Sequence, residues 1–372
     1  MMLKIAIVGL PNVGKSTLFN ALTDGEALAA NYPFATIEPN TGIVPVPDER
    51  LNVLAKMYKT DKIVPATVEF VDVAGLVAGA SKGEGLGNKF LANIRETDAI
   101  CHVVRAFSSG HIQRADGATT IDPKGDIEVI NTELALADVT TIENHLPKLQ
   151  KEAKANPKLK SKVDFLASIQ SQLLTGKRPT EFNKYSKAEL ADQLNGLSLL
   201  TAKPVIYLFN VEETDLTNHE RQTELRQLAA AATGDNIDNI NAIFVCAELE
   251  SEIRSLSIEE ASELMADYGV AESGLNKLIK AAYHILGLQS YLTAGVKEVR
   301  AWTIHQGWTA PQAAGVIHTD FERGFIAAQV VNYNDLIEYG SETAARAAGK
   351  LRTEGKAYIM QPDDVVEFRF NV

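Results

Sequence analysis

Short apolar runs alternate with segments of helical periodicity along most of the chain. The runs LKIAIV, VEFVDV, AICHVV, KPVIYLFN and NAIFVC have the length and the β-branched content of buried strands. STLFNALT, which follows the first run, places its apolar residues at helical spacing. This alternation predicts an α/β fold.

Helical periodicity alone occupies residues 126–199. Its apolar positions are Ile127, Ile130, Leu134, Ile142, Leu146 and Leu149, followed by Leu159, Val163, Leu166, Ile169 and Leu173. The pattern predicts a helical hairpin inserted into the α/β domain. Its tip, PKLQKEAKANPKLKSK, carries six lysines and one glutamate. Such a tip suits a phosphate backbone, or it is simply a solvated helix turn.

The pattern of apolar and polar residues changes again near the C-terminal end, where strand-like runs surround the short helix-like segment AAGVIH. The last run, VVEFRFNV, reads as a final strand. This pattern predicts a second compact module of α+β type. The predicted division is therefore a nucleotide domain at 1–125 and 200–287, the helical insertion at 126–199, and the module at 288–372.

Composition limits the classes of protein to be considered. The length of 372 residues suggests two or three domains, and 45% apolar with 23% charged residues is typical of a soluble globular protein. No run of twenty apolar residues is present to span a membrane. The net charge of −12 argues against coating of nucleic acid by bulk electrostatics. Cys101 and Cys246 form neither a disulfide framework nor paired metal ligands, so we expect a reducing cytosol.

A candidate phosphate site lies between the first strand and the first helix, where residues 9–16 read GLPNVGKS. The stretch matches G-x-x-x-x-G-K-[ST] in full, with Gly9 and Gly14 at the glycine positions. Glycines let backbone N–H groups close around phosphates, and the N-terminus of the following helix favours their charge. Lys15 would contact the β- and γ-phosphates, and the Ser16 hydroxyl would bind Mg²⁺.

Two further segments are typical of a nucleotide switch. Asp72 begins a D-x-x-G pattern at the end of a strand, so its carboxylate would hold Mg²⁺ through water and the N–H of Gly75 would sense the γ-phosphate. Thr36 is the candidate switch threonine, which reaches Mg²⁺ and the γ-phosphate only while that phosphate is present. Leu76 stands where many small GTPases carry the glutamine that orients the attacking water. We therefore expect slow intrinsic hydrolysis, or a site that another loop or partner completes.

The strand KPVIYLFN ends at the position where guanine-nucleotide-binding proteins carry Asn-Lys-x-Asp, the motif that recognises the base. We call a protein with this motif a guanine reader. Asn210 is present, but Val211 replaces the lysine and Glu213 replaces the aspartate. A fixed aspartate accepts the N1 and N2 donors of guanine, whereas N1 of adenine is an acceptor that a carboxylate repels. Glu213 is longer and can swing aside, which leaves the Asn210 amide for adenine N6 and N7. Backbone N–H groups for the base are expected at Cys246, Ala247 and Glu248.

Residues 9–42, 72–95 and 299–328 closely resemble the YchF-type ribosome-associated ATPases, a branch of the Obg-related P-loop GTPases. The resemblance extends over essentially the whole chain, in order. It implies a Ras-like P-loop nucleotide domain, an inserted α-helical coiled-coil hairpin and a C-terminal TGS domain of the ubiquitin-like β-grasp fold. It also implies slow hydrolysis of ATP in preference to GTP, and association with ribosomes.

The same resemblance assigns roles to individual residues. It implies Mg²⁺ contacts at Ser16 and Thr36, and it makes a K⁺ role for Asn12 possible. Some family members carry a histidine after the strand AICHVVRAF, proposed to replace the missing glutamine. Here that residue is His111, or Arg114 if HIQR is aligned with the family's usual I-I-H stretch. The phosphate loop carried over from the family consists of Asn12, Val13, Gly14, Lys15, Ser16 and Thr17.

These features predict a cytoplasmic Mg²⁺-dependent ATPase that acts as a conformational switch on the large ribosomal subunit or the 70S ribosome. RNA contacts are expected at the lysine-rich tip and in the TGS domain, where Lys297, Arg300 and Arg323 are candidates. One alternative is an Obg-type GTPase, since the Glu213 carboxylate still accepts the guanine donors. Another is an RNA-binding scaffold whose nucleotide site serves stability or regulation.

Overall fold

The structure is a computed structural model that describes residues 3–23, 40–73, 86–108, 120–176, 178–179, 182, 184–194 and 196–371. It divides into two compact units. The first contains Leu3–Gly42 and Glu69–Leu278, and the second contains Ile43–Val68 and Ile279–Val372.

The strands of the described residues fall into two sheets. They are β1 (Lys4–Val8), β2 (Thr41–Pro45), β3 (Ile63–Val64), β4 (Thr67–Asp72), β5 (Ala99–Arg105), β6 (Val205–Asn210), β7 (Asn241–Val245), β8 (Leu288–Ala294), β9 (Val299–His305), β10 (Phe325–Asn332), β11 (Arg352–Glu354) and β12 (Asp364–Phe370).

The helices of the same residues alternate with these strands. They are α1 (Lys15–Thr23), α2 (Glu49–Tyr58), α3 (Leu86–Arg95), α4 (Pro123–Ala155), α5 (Lys160–Leu173), α6 (Lys187–Gln193), α7 (His219–Thr233), α8 (Ala247–Ser255), α9 (Ile258–Asp267), α10 (Gly274–Ile285), α11 (Ala310–Ile317), α12 (Thr319–Arg323), α13 (Tyr333–Tyr339) and α14 (Glu342–Ala347). Within the part of the chain that is described, none is long and apolar enough to cross a membrane.

The first sheet has the strand order β2-β4-β1-β5-β6-β7, and β4, β1, β5, β6 and β7 pair in parallel. The central strand β5 is buried at all seven positions, which explains its nearly continuous apolar sequence. Parallel strands bring their carboxyl ends to one edge of the sheet, and ligands of α/β proteins bind at that edge. The expected α/β fold is confirmed, and the predicted phosphate and base segments follow β1 and β6 at this edge.

The helices predicted between residues 126 and 199 are present as α4 and α5, which are joined by the turn Asn156–Leu159. Apolar residues on both helices form a common core, with Ile142 and Leu166 fully buried. Buried Asp138 of α4 accepts hydrogen bonds from the backbone N–H groups of Leu200 (2.9 Å) and Thr201 (2.8 Å). Burial raises the pKa of this carboxyl group. Asp138 therefore fixes α4 to the segment that enters β6.

The second unit contains a mixed sheet with the order β11-β10-β12-β8-β9-β3. β8 pairs with β9 in antiparallel fashion, whereas β12 pairs with β8 in parallel. Buried Tyr291 of β8 lies in its core and donates a hydrogen bond to the carbonyl oxygen of Ala313 (3.0 Å). This arrangement agrees with the α+β module expected from the sequence.

Residues 43–68 belong to the second unit, although the sequence places them in the nucleotide domain. β3 extends the mixed sheet by pairing in parallel with β9. Arg50 of α2 donates to the carboxylates of Asp48 (2.7 Å) and Asp363 (2.8 Å). The apolar pattern of α2 predicts that one face of the helix is buried, but it does not indicate which unit covers that face.

Candidate nucleotide-binding site

The loop between β1 and α1 has the backbone that its sequence predicts. Asn12 and Gly14 both have left-handed backbone angles, with φ of 65° and 91°. A Cβ atom on Gly14 would lie 2.3 Å from Nδ2 of Asn210, and one on Gly9 would lie 2.9 Å from the carbonyl oxygen of Val103. Close approach of other segments therefore excludes side chains at both glycines.

Lys15 and Asp72 meet at the carboxyl edge of the sheet. Lys15 opens α1, and Asp72 ends β4 opposite Ile7 of β1. Nζ of Lys15 forms an ion pair with Oδ1 of Asp72, and the two side chains are only 11% and 19% exposed. The exposed Ser16 follows in the first turn of α1. Strand pairing thus brings the two predicted phosphate-binding and metal-binding segments together.

The available donors fit a hard cation. Ser16 offers a hydroxyl oxygen and Asp72 a carboxylate, which are the oxygen ligands that Mg²⁺ prefers. The described residues contain no group of three or more His, Cys, Asp or Glu side chains placed to hold a metal ion.

Asn210 joins the two ends of the site. Its Nδ2 donates to the carbonyl oxygen of Val13 (3.0 Å), and its Oδ1 accepts from the backbone N–H of Ala247 (3.0 Å). The residue is only 4% exposed. The sequence assigns this amide to the base, but these bonds occupy one N–H and one lone pair, so only the second of each remains for a ligand. The N–H of Ala247 is likewise directed to Asn210, although the sequence predicts that it faces the base.

A cavity of about 660 Å³ brings together segments that are far apart in the sequence. It contains predicted residues of the phosphate loop, of the segment after β6 and of the segment after β7. The lining residues are Asn12, Gly14, Thr17, Phe107, Ser108, Asn210, Val211, Glu212, Glu213, Thr214, Cys246, Ala247 and Glu248.

Phe107 and Ser108 line this cavity, but the sequence analysis does not single them out. Both follow β5, and residues that follow a central parallel strand are expected at the ligand-binding edge of the sheet. Their position in the sequence could therefore have identified them. The guanidinium group of buried Arg105 lies 4.8 Å from the centre of the Phe107 ring, and its Nε donates to the Phe107 carbonyl oxygen (3.3 Å). The ring therefore has a fixed place on the cavity wall.

The two glutamates after β6 have different partners. Oε1 of Glu212 accepts hydrogen bonds from the backbone N–H (2.9 Å) and the hydroxyl of Ser108, and these bonds lower the pKa of Glu212. The Glu213 carboxylate raises the pKa of the Tyr268 hydroxyl, through hydrogen bonding and its negative charge. Val211 is 1% exposed and packs in the core with Phe209. The cavity wall is therefore apolar where a guanine reader has its lysine stem.

Cys246 begins the last segment of the cavity wall and directly precedes α8. Burial raises the pKa of its thiol, so the side chain is neutral near pH 7. Four predicted positions lie outside the described residues. They are Thr36, Gly75, His111 and Arg114. The switch threonine and the residue that orients water therefore stay predictions.

Two family models match parts of the chain. Residues 4–145 match the family model MMR_HSR1, described as "50S ribosome-binding GTPase". Residues 288–371 match the model YchF-GTPase_C, described as "Protein of unknown function (DUF933)".

Curated relatives match over the full length. The "Ribosome-binding ATPase YchF" of Haemophilus influenzae is 52% identical over 372 residues and is covered to 99%, as is this chain. The protein of the same name from Bacillus subtilis is 49% identical over 375 residues, with 100% of both chains covered. A solved structure of the Schizosaccharomyces pombe YchF GTPase is 40% identical with a TM-score of 0.85, and the match covers 99% of this chain and 97% of that one.

Proposed function

Because the chain belongs to the YchF family of ribosome-binding ATPases, we propose that it hydrolyses ATP to ADP and phosphate in association with the ribosome. The names of its relatives differ, since the bacterial proteins are called ATPases and the yeast structure a GTPase. The base end of the cavity favours ATP. The observation that carries this choice is that Val211 and Glu213 line the cavity at the positions where a guanine-binding protein has lysine and aspartate.

Guanine and adenine place different demands on this wall. Guanine needs a carboxylate fixed opposite its N1 and N2 donors, and we propose that the longer Glu213 side chain, which has Tyr268 as one of its partners, does not keep that position. Adenine offers a donor at N6 and an acceptor at N7, which match the second lone pair and the second N–H of Asn210. A buried donor left without a partner costs about 1–3 kcal/mol, or roughly one to two factors of ten in affinity. We propose that this difference produces a preference for ATP.

We propose that the phosphate loop binds the triphosphate through its backbone N–H groups and the N-terminus of α1. Lys15 would leave Asp72 and bind the β- and γ-phosphates, where its charge stabilises the transferred phosphoryl group. Ser16, Thr36 and, through water, Asp72 would hold Mg²⁺. Bound Mg²⁺ supplies neutralisation of the phosphate charge. A K⁺ ion beside Asn12 would add to that neutralisation.

Loss of the γ-phosphate would release Thr36 and the N–H of Gly75, and this release would make the protein a conformational switch. The role of His111 or Arg114 in orienting the attacking water belongs to the same proposal. We place the reaction in the cytoplasm, because both cysteines are buried free thiols, as a reducing compartment allows.

Calorimetric titration with ATP and GTP in the presence of Mg²⁺ tests the nucleotide choice. We expect tighter binding of ATP. A GTP affinity tenfold or more above that for ATP would contradict the proposal and favour an Obg-type GTPase. Absence of hydrolysis with ribosomes and K⁺ present would instead favour a scaffold with a regulatory nucleotide site.

We propose that the α4–α5 hairpin tip contacts ribosomal RNA. Five of its lysines, Lys148, Lys151, Lys154, Lys158 and Lys160, are exposed at the end of the hairpin. The sixth, Lys162, is half-buried and paired with Asp192 (3.0 Å). The second unit would contribute Lys297 and Arg323, which are exposed, and Arg300, whose guanidinium lies 3.9 Å from the ring centre of Trp302.

The five exposed lysines can be replaced by glutamine to test this contact. We expect loss of cosedimentation with ribosomes, together with ATP hydrolysis in their absence that equals the unaltered rate. Each lost phosphate contact should also reduce the salt dependence of binding, by a slope of about 0.7–0.9. Lys162→Gln serves as the control and should retain binding. Unchanged cosedimentation of the five-lysine variant would place the RNA contact elsewhere.

A further inference from the structure

We propose that Glu212 is a positioning residue that holds the Phe107 wall of the nucleotide cavity through Ser108. The inference rests on the proposed function, because it concerns how that site recognises the base of ATP. It begins from the unusual pairing of Glu212 with a residue 104 positions earlier in the chain.

The pairing extends the contact between β5 and β6 beyond the sheet. Arg105 stands opposite Asn210 in the strand register, and the N–H of Ala106 donates to the Asn210 carbonyl oxygen (2.8 Å). Two residues further on, the carboxylate of Glu212 takes over the role of the strand backbone and accepts the N–H of Ser108. The side chain therefore continues the strand pairing after the strands themselves have ended.

Glu212 does not use its carboxylate for the turn that it begins. It precedes the short 3₁₀ helix Glu213–Leu216 but makes no capping bond to it. Instead, Oε1 accepts both the N–H and the hydroxyl of Ser108. Hydrogen bonds to an ionised acceptor are stronger than those between neutral groups. The sequence position and the bonding partners thus indicate a role on the β5 side of the cavity.

Phe107 lies between the two points at which this segment is fixed. The Ala106 N–H is bound to β6 on one side, and Ser108 is bound to Glu212 on the other. Arg105 covers one part of the ring and binds the Phe107 carbonyl oxygen. The ring can then meet a base without losing further conformational freedom. Ordering a side chain on binding has a free-energy cost, so a ring that is already fixed should bind a base about 3- to 10-fold more tightly.

Binding measurements with Glu212→Gln test the inference. Gln keeps the size of the side chain but removes the charge, so we expect about 3- to 10-fold weaker binding of ATP. Ser108→Ala removes only the hydroxyl donor and should have a smaller effect in the same direction. Inorganic tripolyphosphate with Mg²⁺ has no base, and its affinity should not change. Glu220→Gln, at an exposed glutamate of α7 outside the cavity, is the matched control.

A double-mutant cycle with Phe107→Ala decides whether Glu212 acts through the ring. We expect Glu212→Gln to weaken ATP binding in the unaltered chain and to have no further effect after Phe107→Ala. An equal loss in both backgrounds, an equal loss for tripolyphosphate, or no loss at all would overturn the role of Glu212. In these cases the unaltered chain still binds ATP. Failure of the unaltered chain to bind ATP would instead overturn the proposed function, and this inference with it.

Discussion

The two ends of the nucleotide cavity are constructed in different ways. Its phosphate end is a continuous segment, in which Gly9, Gly14 and Lys15 follow one strand and begin one helix. Its base end is assembled from the ends of β5, β6 and β7, which are held together by side chains such as Asn210 and Glu212. Chemistry at the phosphate end therefore depends on local backbone geometry, whereas base choice depends on contacts between distant segments.

The largest effect is expected from Lys15→Met at the phosphate end. The substitution keeps a long apolar stem but removes the charge that would stabilise the transferred phosphoryl group. We expect kcat to fall by about 10²- to 10³-fold, as for other groups that stabilise transition-state charge. The measurement is steady-state release of phosphate. Lys4→Met removes the ion pair with Glu69 (2.9 Å) at the end of β1 opposite to the phosphate loop and should leave kcat unchanged.

Asn210→Ala should affect both ends at once, because it leaves the Val13 carbonyl and the Ala247 N–H without their partner. Two buried groups that lose a hydrogen bond should reduce the free energy of unfolding by about 2–4 kcal/mol. We also expect ATP binding to weaken more than tenfold, measured by calorimetry.

Asn218→Ala is the control for the loss of an asparagine side chain. It removes the N-cap of α7, whose oxygen accepts from the Arg221 N–H (3.1 Å), and should cost about 1 kcal/mol. ATP affinity should be retained. If the two variants lose the same ATP affinity, Asn210 is not the connection between the ends of the cavity.

The double substitution Val211→Lys with Glu213→Asp should change base choice, and because Val211 is 1% exposed it should also lower the free energy of unfolding, which denaturant unfolding measures alongside. It restores the residue types of a guanine reader, so we expect the ratio of GTP to ATP affinity to rise by about tenfold, or 1.4 kcal/mol. The affinity for tripolyphosphate should stay the same, since the phosphate loop is untouched. An unchanged GTP to ATP ratio would show that these two positions do not exclude guanine.

Tyr268→Phe should have the smallest effect. Removal of the hydroxyl frees the Glu213 carboxylate, which is then available to the donors of guanine. We expect GTP affinity to rise only about 2- to 4-fold, because hydrogen bonds at the surface compete with water and contribute little. Tyr339→Phe in α13, at an exposed tyrosine that does not line the cavity, serves as a control. A fall in GTP affinity would show that Tyr268 does not restrain Glu213.

The difference between a continuous phosphate loop and an assembled base end also explains which site residues can be predicted from the sequence. Gly9 to Ser16 form a local motif, so their positions and backbone follow from the residues themselves. Asp72 was also accessible, because it ends a strand next to the phosphate loop. Phe107 and Glu212 were missed, since their position depends on pairing between strands that are about a hundred residues apart. Asn210 was recognised, but its bonds to Val13 and Ala247 become visible only once three segments meet.

The division into units shows a similar limit. β3 has only two residues, Ile63 and Val64, and both are half-buried. Such a short strand carries no periodic signal, and the apolar face of α2 does not specify its partner. The order of elements was therefore predictable, while the unit that receives residues 43–68 was not.

The placement of residues 43–68 has a consequence for folding during synthesis. During synthesis this segment leaves the exit tunnel early, but its partners β9 and Asp363 are made near the end. The mixed sheet of the second unit therefore cannot be completed until almost the whole polypeptide has been synthesised. Strand pairings between residues so far apart in the sequence also form slowly. A nascent chain halted before β9 would carry an unmatched strand and the exposed apolar face of α2.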